Sequence, residues 1–395
     1  MKHFKLIIIV LSIICASCGE KQNKKTETSE IAEAKTQVEV GTISLVKAEA
    51  ATKVNYSMET VIPDLNIPWG MVFLPDGAML ITEKAGELIY FKDGKKTEIS
   101  GLPDIYVRGQ GGLLDIELHP DYVNNGWLYI THASQDGEGN GGNTALLRAK
   151  LEGNKLIDVT RLYKAGPNSR RGQHFGSRIE FDNDGYLYFS VGDRGNRDEN
   201  PQDITRDCGK IYRLNADGSI PEDNPFVATE NAKTAIYSYG HRNPQGMVKN
   251  PYSGKIWVHE HGPKGGDEIN VIQKGKNFGW PIISYGVNYS GTKFTDITAK
   301  KSMEQPLFYW VPSIAPSGID FITSDKYPEW KGNLLVGSLK FEYLERLVLE
   351  YNKVTKREKL FEGMGRVRDV KQGPDGYIYV AVENKGIVKI VPNSQ

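Results

Sequence analysis

Six times along the chain, a glycine closes a polar turn and a short run of aromatic and branched apolar residues follows at once. The turns are Asp76-Gly77, Asn125-Gly126, Asp184-Gly185, Ser253-Gly254, Lys331-Gly332 and Asp375-Gly376. The runs include Trp127-Leu-Tyr-Ile-Thr131, Tyr186-Leu-Tyr-Phe-Ser190 and Tyr377-Ile-Tyr-Val380. Asp-Gly and its equivalents supply hairpin turns, and the period-two aromatics suit half-buried strands. Successive glycines lie 49, 59, 69, 78 and 44 residues apart. A unit too small to bury its own apolar face, repeated at elastic spacing, reads as one blade of a ring. The pattern predicts an all-β fold over residues 51–395: a six-bladed β-propeller with four-stranded blades, whose closure avoids long exposed edges. Long amphipathic helical periodicity is scarce, and a two-sheet sandwich is the alternative.

The first residues concern address. Lys2 and Lys5 precede an apolar run from Leu6 to Ile14, too short to span a bilayer as a mature helix. It ends in Cys15-Ala16-Ser17-Cys18, which resembles the lipobox of bacterial lipoproteins. Residues 1–17 are therefore expected to be a lipoprotein signal peptide and Cys18 the lipidated new N-terminus; an ordinary signal peptide cut nearby is the alternative. Residues 18–50, rich in Lys, Glu, Thr, Ser and Ala, read as a flexible tether. The expected location is the bacterial periplasm or cell surface, with the membrane engaged only through the lipid. Cys208 is the one cysteine beyond this region, so core burial rather than a disulfide must stabilise the fold. Lys plus Arg equal Asp plus Glu at 49 each, and removing residues 1–17 leaves a net charge of −2. No basic field invites nucleic acid.

Chemistry concentrates in polar loops. Residues 240–246 and 259–268 flank the apolar run at 255–259. Arg242 and Asn243, beside an X-Pro step, present fixed donors, while Gly262-Pro263 turns backbone carbonyls toward a cation, so an anionic ligand and a hard metal would meet there. A second pair of loops carries His174, just before a strand, and Asp193, after the next one. A His174–Asp193 contact would orient the imidazole and raise its basicity, as a general base requires; a purely structural histidine is the competing reading. His259 and His261 alternate on one strand as metal ligands do, but no third His or Cys has a recognisable spacing, which argues against zinc.

Together these residues identify a family. From about residue 60 onward the chain resembles the soluble pyrroloquinoline-quinone-dependent sugar dehydrogenases, most closely the aldose sugar dehydrogenase branch. The resemblance rests on ordered motifs: Asn66-Ile-Pro-Trp-Gly70, Gly109-Gln-Gly-Gly-Leu-Leu114 with His119-Pro120, Gly172-Gln-His-Phe-Gly-Ser-Arg178 and Gly192-Asp-Arg-Gly195. Gly240-His-Arg-Asn-Pro-Gln-Gly246, Gly266-Asp-Glu-Ile-Asn270, Asn277-Phe-Gly-Trp-Pro281, Ala315-Pro-Ser317, Gly337-Ser-Leu-Lys340 and Gly365-Arg-Val-Arg-Asp369 follow. It implies a six-bladed propeller that oxidises aldoses at the anomeric carbon, passing hydride to pyrroloquinoline quinone and electrons to an acceptor it does not identify. By motif, His174 would be the general base and Arg242 would sit by the quinone oxygen that becomes anionic. Asn243 would assist at the cofactor, and Lys340, Arg366 and Arg368 would meet its carboxylates. Calcium, held partly by the Gly262 and Pro263 carbonyls, would polarise the quinone. Gln110 and Asp193 would line the sugar pocket or support the base.

The chain departs from the glucose-oxidising branch at Gln173, where that branch has an acidic residue beside the catalytic histidine, so the sugar contacts differ. Tyr309-Trp310 falls near the family's sugar-stacking aromatics, and Trp310 is taken as the contact. Asp267 and Glu268 would either hold a second calcium or cap the following strand. Period two puts Arg366 and Arg368 on one side of a strand, facing either a central channel or solvent. Two rivals keep the fold: a calcium-dependent lactonase, which wants carboxylates and amides around an axial metal, and a non-catalytic sugar- or protein-binding propeller, which does not need His174.

Overall fold

The computed structural model describes residues 46–50 and 55–393. Cys18, the expected signal peptide and most of the expected tether lie outside them. Six sheets follow one another along the chain, each built around a four-stranded antiparallel meander. Their inner strands are Pro68–Phe73, Leu113–Leu118, Ile179–Phe181, Pro244–Lys249, Pro316–Phe321 and Val367–Gln372, and each touches the next around a closed ring. The molecule is a six-bladed β-propeller. Tyr56–Pro63 pairs antiparallel with Gly386–Pro392, so the last blade is completed by the start of the described chain. Ala48–Ala50, inside the segment read as tether, adds a parallel fifth strand to the fifth blade along Lys353–Leu360.

All six repeat glycines fall between the first and second strands of successive blades, with φ of +68° to +83°. That backbone conformation strains any residue with a Cβ, which explains why the turn recurs with glycine. The strands that follow are not half-buried, as the alternation suggested. Met79–Glu83, Leu187–Val191, Ile256–Glu260, Leu334–Ser338 and Ile378–Val382 are buried at every residue. Blades stack face to face, so a second strand meets a neighbouring blade on both sides and its apolar run is continuous. Tyr129 and Leu146 of the second blade thus share one core with Ile179, Phe189 and Tyr212 of the third. The outer strand Lys155–Lys164 exposes half of its residues and carries charges at Lys155, Asp158, Arg161 and Lys164, which discourages edge pairing.

Near the axis, Arg178 of the third blade pins the ring. It donates from Nη1 to Asp115 Oδ1 of the second blade at 2.9 Å and meets Asp369 Oδ1 of the sixth at 3.1 Å. Nε donates to the Gln245 carbonyl and Nη2 to the Arg368 carbonyl, both at 2.8 Å. The remaining oxygens of the two carboxylates accept the backbone N–H groups of Ile179 and Met71. One buried side chain therefore joins four blades.

Candidate active site

First and second strands are antiparallel, so the entry of each first strand and the exit of each second strand lie at the same end, opposite the glycine turns. Gln110, His174, Arg242, Asn243, Arg366 and Arg368 sit at first-strand entries; Asp193, Gly262, Pro263 and Lys340 follow second strands. The fold thus brings these residues to one mouth.

His174 adopts a left-handed backbone conformation, φ +57°. Its N–H donates to Gln110 Oε1 at 2.7 Å. Arg194 clamps the same loop: its guanidinium donates to the carbonyls of Gln173 and Arg171 while lying 3.4 Å from the Phe175 ring centroid. Gly192 is required opposite, because a Cβ there would overlap the His174 carbonyl. So held, His174 Nδ1 meets Asp193 Oδ1 at 2.6 Å. Asp193 is 1% exposed; its Oδ1 also accepts the Gly195 N–H at 2.6 Å, and its Oδ2 accepts Trp280 Nε1 at 2.9 Å. With Nδ1 directed at a carboxylate, Nε2 is the atom left to take a proton. Burial pushes the imidazole below its ordinary value; the Asp193 bond pulls it back up, and Arg242 and Arg194 push it down. Burial works to raise the Asp193 carboxyl, yet His174, Arg242 and the Gly195 N–H hold it below the usual carboxylate range.

Arg242 is set by its neighbours on both sides. Its N–H donates to Glu260 Oε2 at 2.5 Å, Nη1 donates to the His261 carbonyl at 2.9 Å, and the guanidinium carbon lies 5.3 Å from the Trp280 ring centroid. Asn243 Oδ1 accepts the Gly176 N–H at 3.1 Å, and its buried Nδ2 has no partner among the described residues. Arg366 Nε pairs with Glu383 Oε2 at 2.7 Å, Arg368 Nε pairs with Glu383 Oε1, and Arg366 Nη1 donates to the Leu339 carbonyl at 2.9 Å, next to Lys340. One carboxylate therefore holds both arginines together, although Arg366 precedes the strand and the ladder is irregular at Arg368. Lys84 joins this rim, donating to the Gly109 carbonyl at 3.1 Å.

Around Gly262-Pro263, Asp267 acts as a buckle. Its Oδ1 accepts the Gly262 N–H and its Oδ2 the Ala315 N–H, both at 2.8 Å, and burial pushes it up to about 6. Glu268 is paired across the sheet with Glu260, and burial, with Glu260 beside it, pushes its carboxyl well above the ordinary value. Asn270 donates to Glu260 at 3.1 Å, and its buried Oδ1 lacks a partner among the described residues. No group of three or more His, Cys, Asp or Glu side chains placed to hold a metal occurs among the described residues. The two strand histidines point elsewhere: His259 and His261 bond the carbonyls of Ser317 and Pro316, and burial pushes His261 down to about 3.

Trp310 does not reach the mouth. It is 0% exposed, packs edge-on against Phe308 and donates Nε1 to Glu345 at 3.1 Å, so it is core and is withdrawn as a sugar contact. Its neighbour Tyr309 stacks on Tyr285 at 3.7 Å. Gln110 has its oxygen taken by the His174 backbone, and the Gln173 side chain lies against Gly195. Sequence reasoning missed Trp280, Glu260 and Glu383. Trp280 stood in a quoted motif without a role, Glu260 lay between His259 and His261, and nothing near Glu383 marks it.

A closed propeller with a carboxylate-supported histidine, an arginine beside it and a cationic rim over one mouth has the makings of an enzyme site for an anionic ligand, and its relatives make the class a sugar oxidoreductase. The chain belongs to the glucose/sorbosone dehydrogenase family, whose sequence model matches residues 65–389. It is 40% identical over 362 residues to the aldose sugar dehydrogenase YliI of Escherichia coli, spanning 89% of this chain and 97% of that protein. The crystal structure of the soluble E. coli aldose sugar dehydrogenase in its apo form superposes with a TM-score of 0.83, at 40% identity, covering 85% of this chain and 99% of that one. The PQQ-bound aldose sugar dehydrogenase of Streptomyces coelicolor is 26% identical with a TM-score of 0.69, covering 88% and 99%.

Proposed function

We propose that this protein oxidises aldoses at the anomeric carbon to lactones with pyrroloquinoline quinone as cofactor. The observation that carries the reading is the His174–Asp193 pair lying beside Arg242 at a mouth rimmed by Lys340, Arg366 and Arg368. The donor set suits an anionic, carbonyl-rich cofactor. Asn243 Nδ2 is a buried donor without a partner among the described residues, and Arg366 and Arg368 share a single carboxylate, leaving cationic capacity for others. When bound, the quinone supplies the two-electron, hydride-accepting chemistry. His174 Nε2 takes the anomeric hydroxyl proton, and Asp193 stabilises the imidazolium that results. Arg242 provides preorganised positive charge. Arg366, Arg368 and Lys340 anchor carboxylates, and Gln173 with the Gln110 side chain borders the sugar. Calcium would be held through the Gly262 and Pro263 carbonyls. A second would lie by Glu268, where the facing Glu260 and the Asn270 oxygen, without a partner among the described residues, favour a hard cation; Asp267 already satisfies two backbone N–H groups.

Reconstitution tests the reading. Purified protein given pyrroloquinoline quinone and calcium reduces a redox dye with aldoses and is inert without the quinone. Lactone hydrolysis needing calcium alone would identify a lactonase, and sugar binding without turnover a binding propeller. We further propose lipid attachment at Cys18 and a periplasmic or surface location: a fatty-acid analogue labels the wild type and not Cys18→Ala, and equal labelling of both rejects the anchor.

A further inference from the structure

We infer that Trp280 is a positioning residue of the reaction, linking the Asp193–His174 pair to Arg242 through its indole N–H and its ring face. This rests on the reading of His174 as the base. Trp280 belongs to the excursion between the third and fourth strands of the fourth blade, Asp267–Val271 and Phe308–Trp310, whereas His174 and Asp193 flank the first two strands of the third. The excursion is anchored: the Trp280 N–H donates to the Gly240 carbonyl at 2.9 Å, and its carbonyl accepts Gln202 Nε2 at 2.8 Å. Phe294 packs edge-on against the indole at 5.2 Å. The ring is thereby fixed with Nε1 on Asp193 Oδ2 at 2.9 Å and its face toward the Arg242 guanidinium at 5.3 Å.

The chemical consequence follows from the acceptor count on Asp193. Oδ1 serves His174 and the Gly195 N–H, and Oδ2 accepts from Trp280 Nε1. A hydrogen bond to a carboxylate stabilises its charged form and spreads its charge, so the indole moderates how strongly Asp193 favours the imidazolium. It also fixes the carboxylate plane, and with it the imidazole and the direction of Nε2. The charged and titratable groups facing His174 are Asp193 and Arg194 from the loop after the second strand of the third blade, Arg242 from the loop entering the fourth, and His261 after the second strand of the fourth. None of them replaces the Trp280 donor.

The test reads His174 without turnover. Imidazole resonances of the histidine-labelled full-length protein are titrated, with the His174 signal assigned by its loss in His174→Gln. Trp280→Phe removes the N–H and raises the His174 midpoint by about half a unit to one unit. In an Asp193→Asn background the same substitution moves it no further, because the effect passes through the carboxylate. In the quinone-loaded enzyme, kcat falls roughly 10- to 100-fold and its acidic limb moves with the midpoint, while the sugar KM holds. Benzothienylalanine at position 280 keeps the bicycle, loses only the N–H and reproduces the shift if Trp280→Phe folds poorly. An unchanged midpoint in both variants, or an equal shift with and without Asp193, overturns the proposal. A wild type inert toward aldoses would sink the dehydrogenase reading, whereas the titration judges the Trp280 linkage independently.

Discussion

Arg178 and Arg242 are both buried, both belong to loops entering inner strands, and both stand in motifs that sequence inspection singles out, yet they do opposite things. Arg178 has Nε and both Nη atoms engaged by two carboxylates and two carbonyls drawn from three other blades. Arg242 gives Nη1 to one carbonyl and rests on an aromatic face. The first is electrostatically complete, and its geometry closes a ring. The second is held in place with donor capacity left over, which is what a group awaiting a developing negative charge needs. On the proposed reading, function is marked by incomplete satisfaction rather than by charge or burial.

The sharpest way to break this contrast is to alter one member of each constellation. His174→Gln lowers turnover by about 10²–10⁴-fold at saturating cofactor, with the urea midpoint unchanged. Near-normal sugar oxidation would end the base assignment. The wild-type pH profile adds a sign. If His174 is the base it works neutral, and burial depresses its pKa, so turnover is expected to stay high as pH falls through the ordinary imidazole value and to drop only below it. Asp193→Asn removes the carboxylate that pulls the value up and moves the acidic limb lower still.

Arg178→Met should behave in reverse. It leaves Asp115 and Asp369 buried without their cation and lowers stability by about 3–5 kcal/mol, read by urea unfolding, while the folded fraction retains its turnover. Lost turnover in fully folded protein would move Arg178 into the active site. Next in size, Arg368→Ala weakens quinone affinity by roughly 10- to 100-fold, as loss of a hydrogen bond to a charged partner does, and activity returns in part as cofactor is raised. An unchanged dissociation constant would leave Arg368 a partner of Glu383 alone. Smallest is Gly77→Ala, at a turn with φ +83° and open space around the added methyl. Backbone strain alone lowers stability by about 1–2 kcal/mol, with kinetics untouched; a neutral result would show that the turn relaxes.

The blade count was legible because a left-handed turn excludes most residues, so its glycine persists in the sequence wherever a blade begins. The His174–Asp193 contact was legible because both residues sit at strand ends that antiparallel pairing brings together. Alternation suggested that Arg366 and Arg368 share a side, which their common partner Glu383 bears out despite an irregular ladder between Val367 and Asp369, but not which side. That choice depends on ring closure, whereas their meeting with Glu383 is made inside the sixth blade, where the Glu383 N–H also donates to the Arg366 carbonyl. Trp310 failed for a related reason: a step of one residue on a strand exchanges mouth for core, and no local signal fixes that register. The axial pin was invisible, since Arg178 and Asp369 are brought together across 191 positions only by the completed circle.

The pairing of Tyr56–Pro63 with Gly386–Pro392 sets the order in which the molecule can come into being. Tyr56–Pro63 must wait, unpaired, until Gly386–Pro392, some 330 residues later, is available. Contacts this distant in sequence form slowly, and an exported chain would have to cross its membrane before the circle could close. Lys84 on the first blade and Arg368 with Glu383 on the sixth become neighbours at that same moment. An anion site that draws on both blades would therefore arise only with the final stitch, and a chain cut before Gly386 would forfeit the circle together with that meeting.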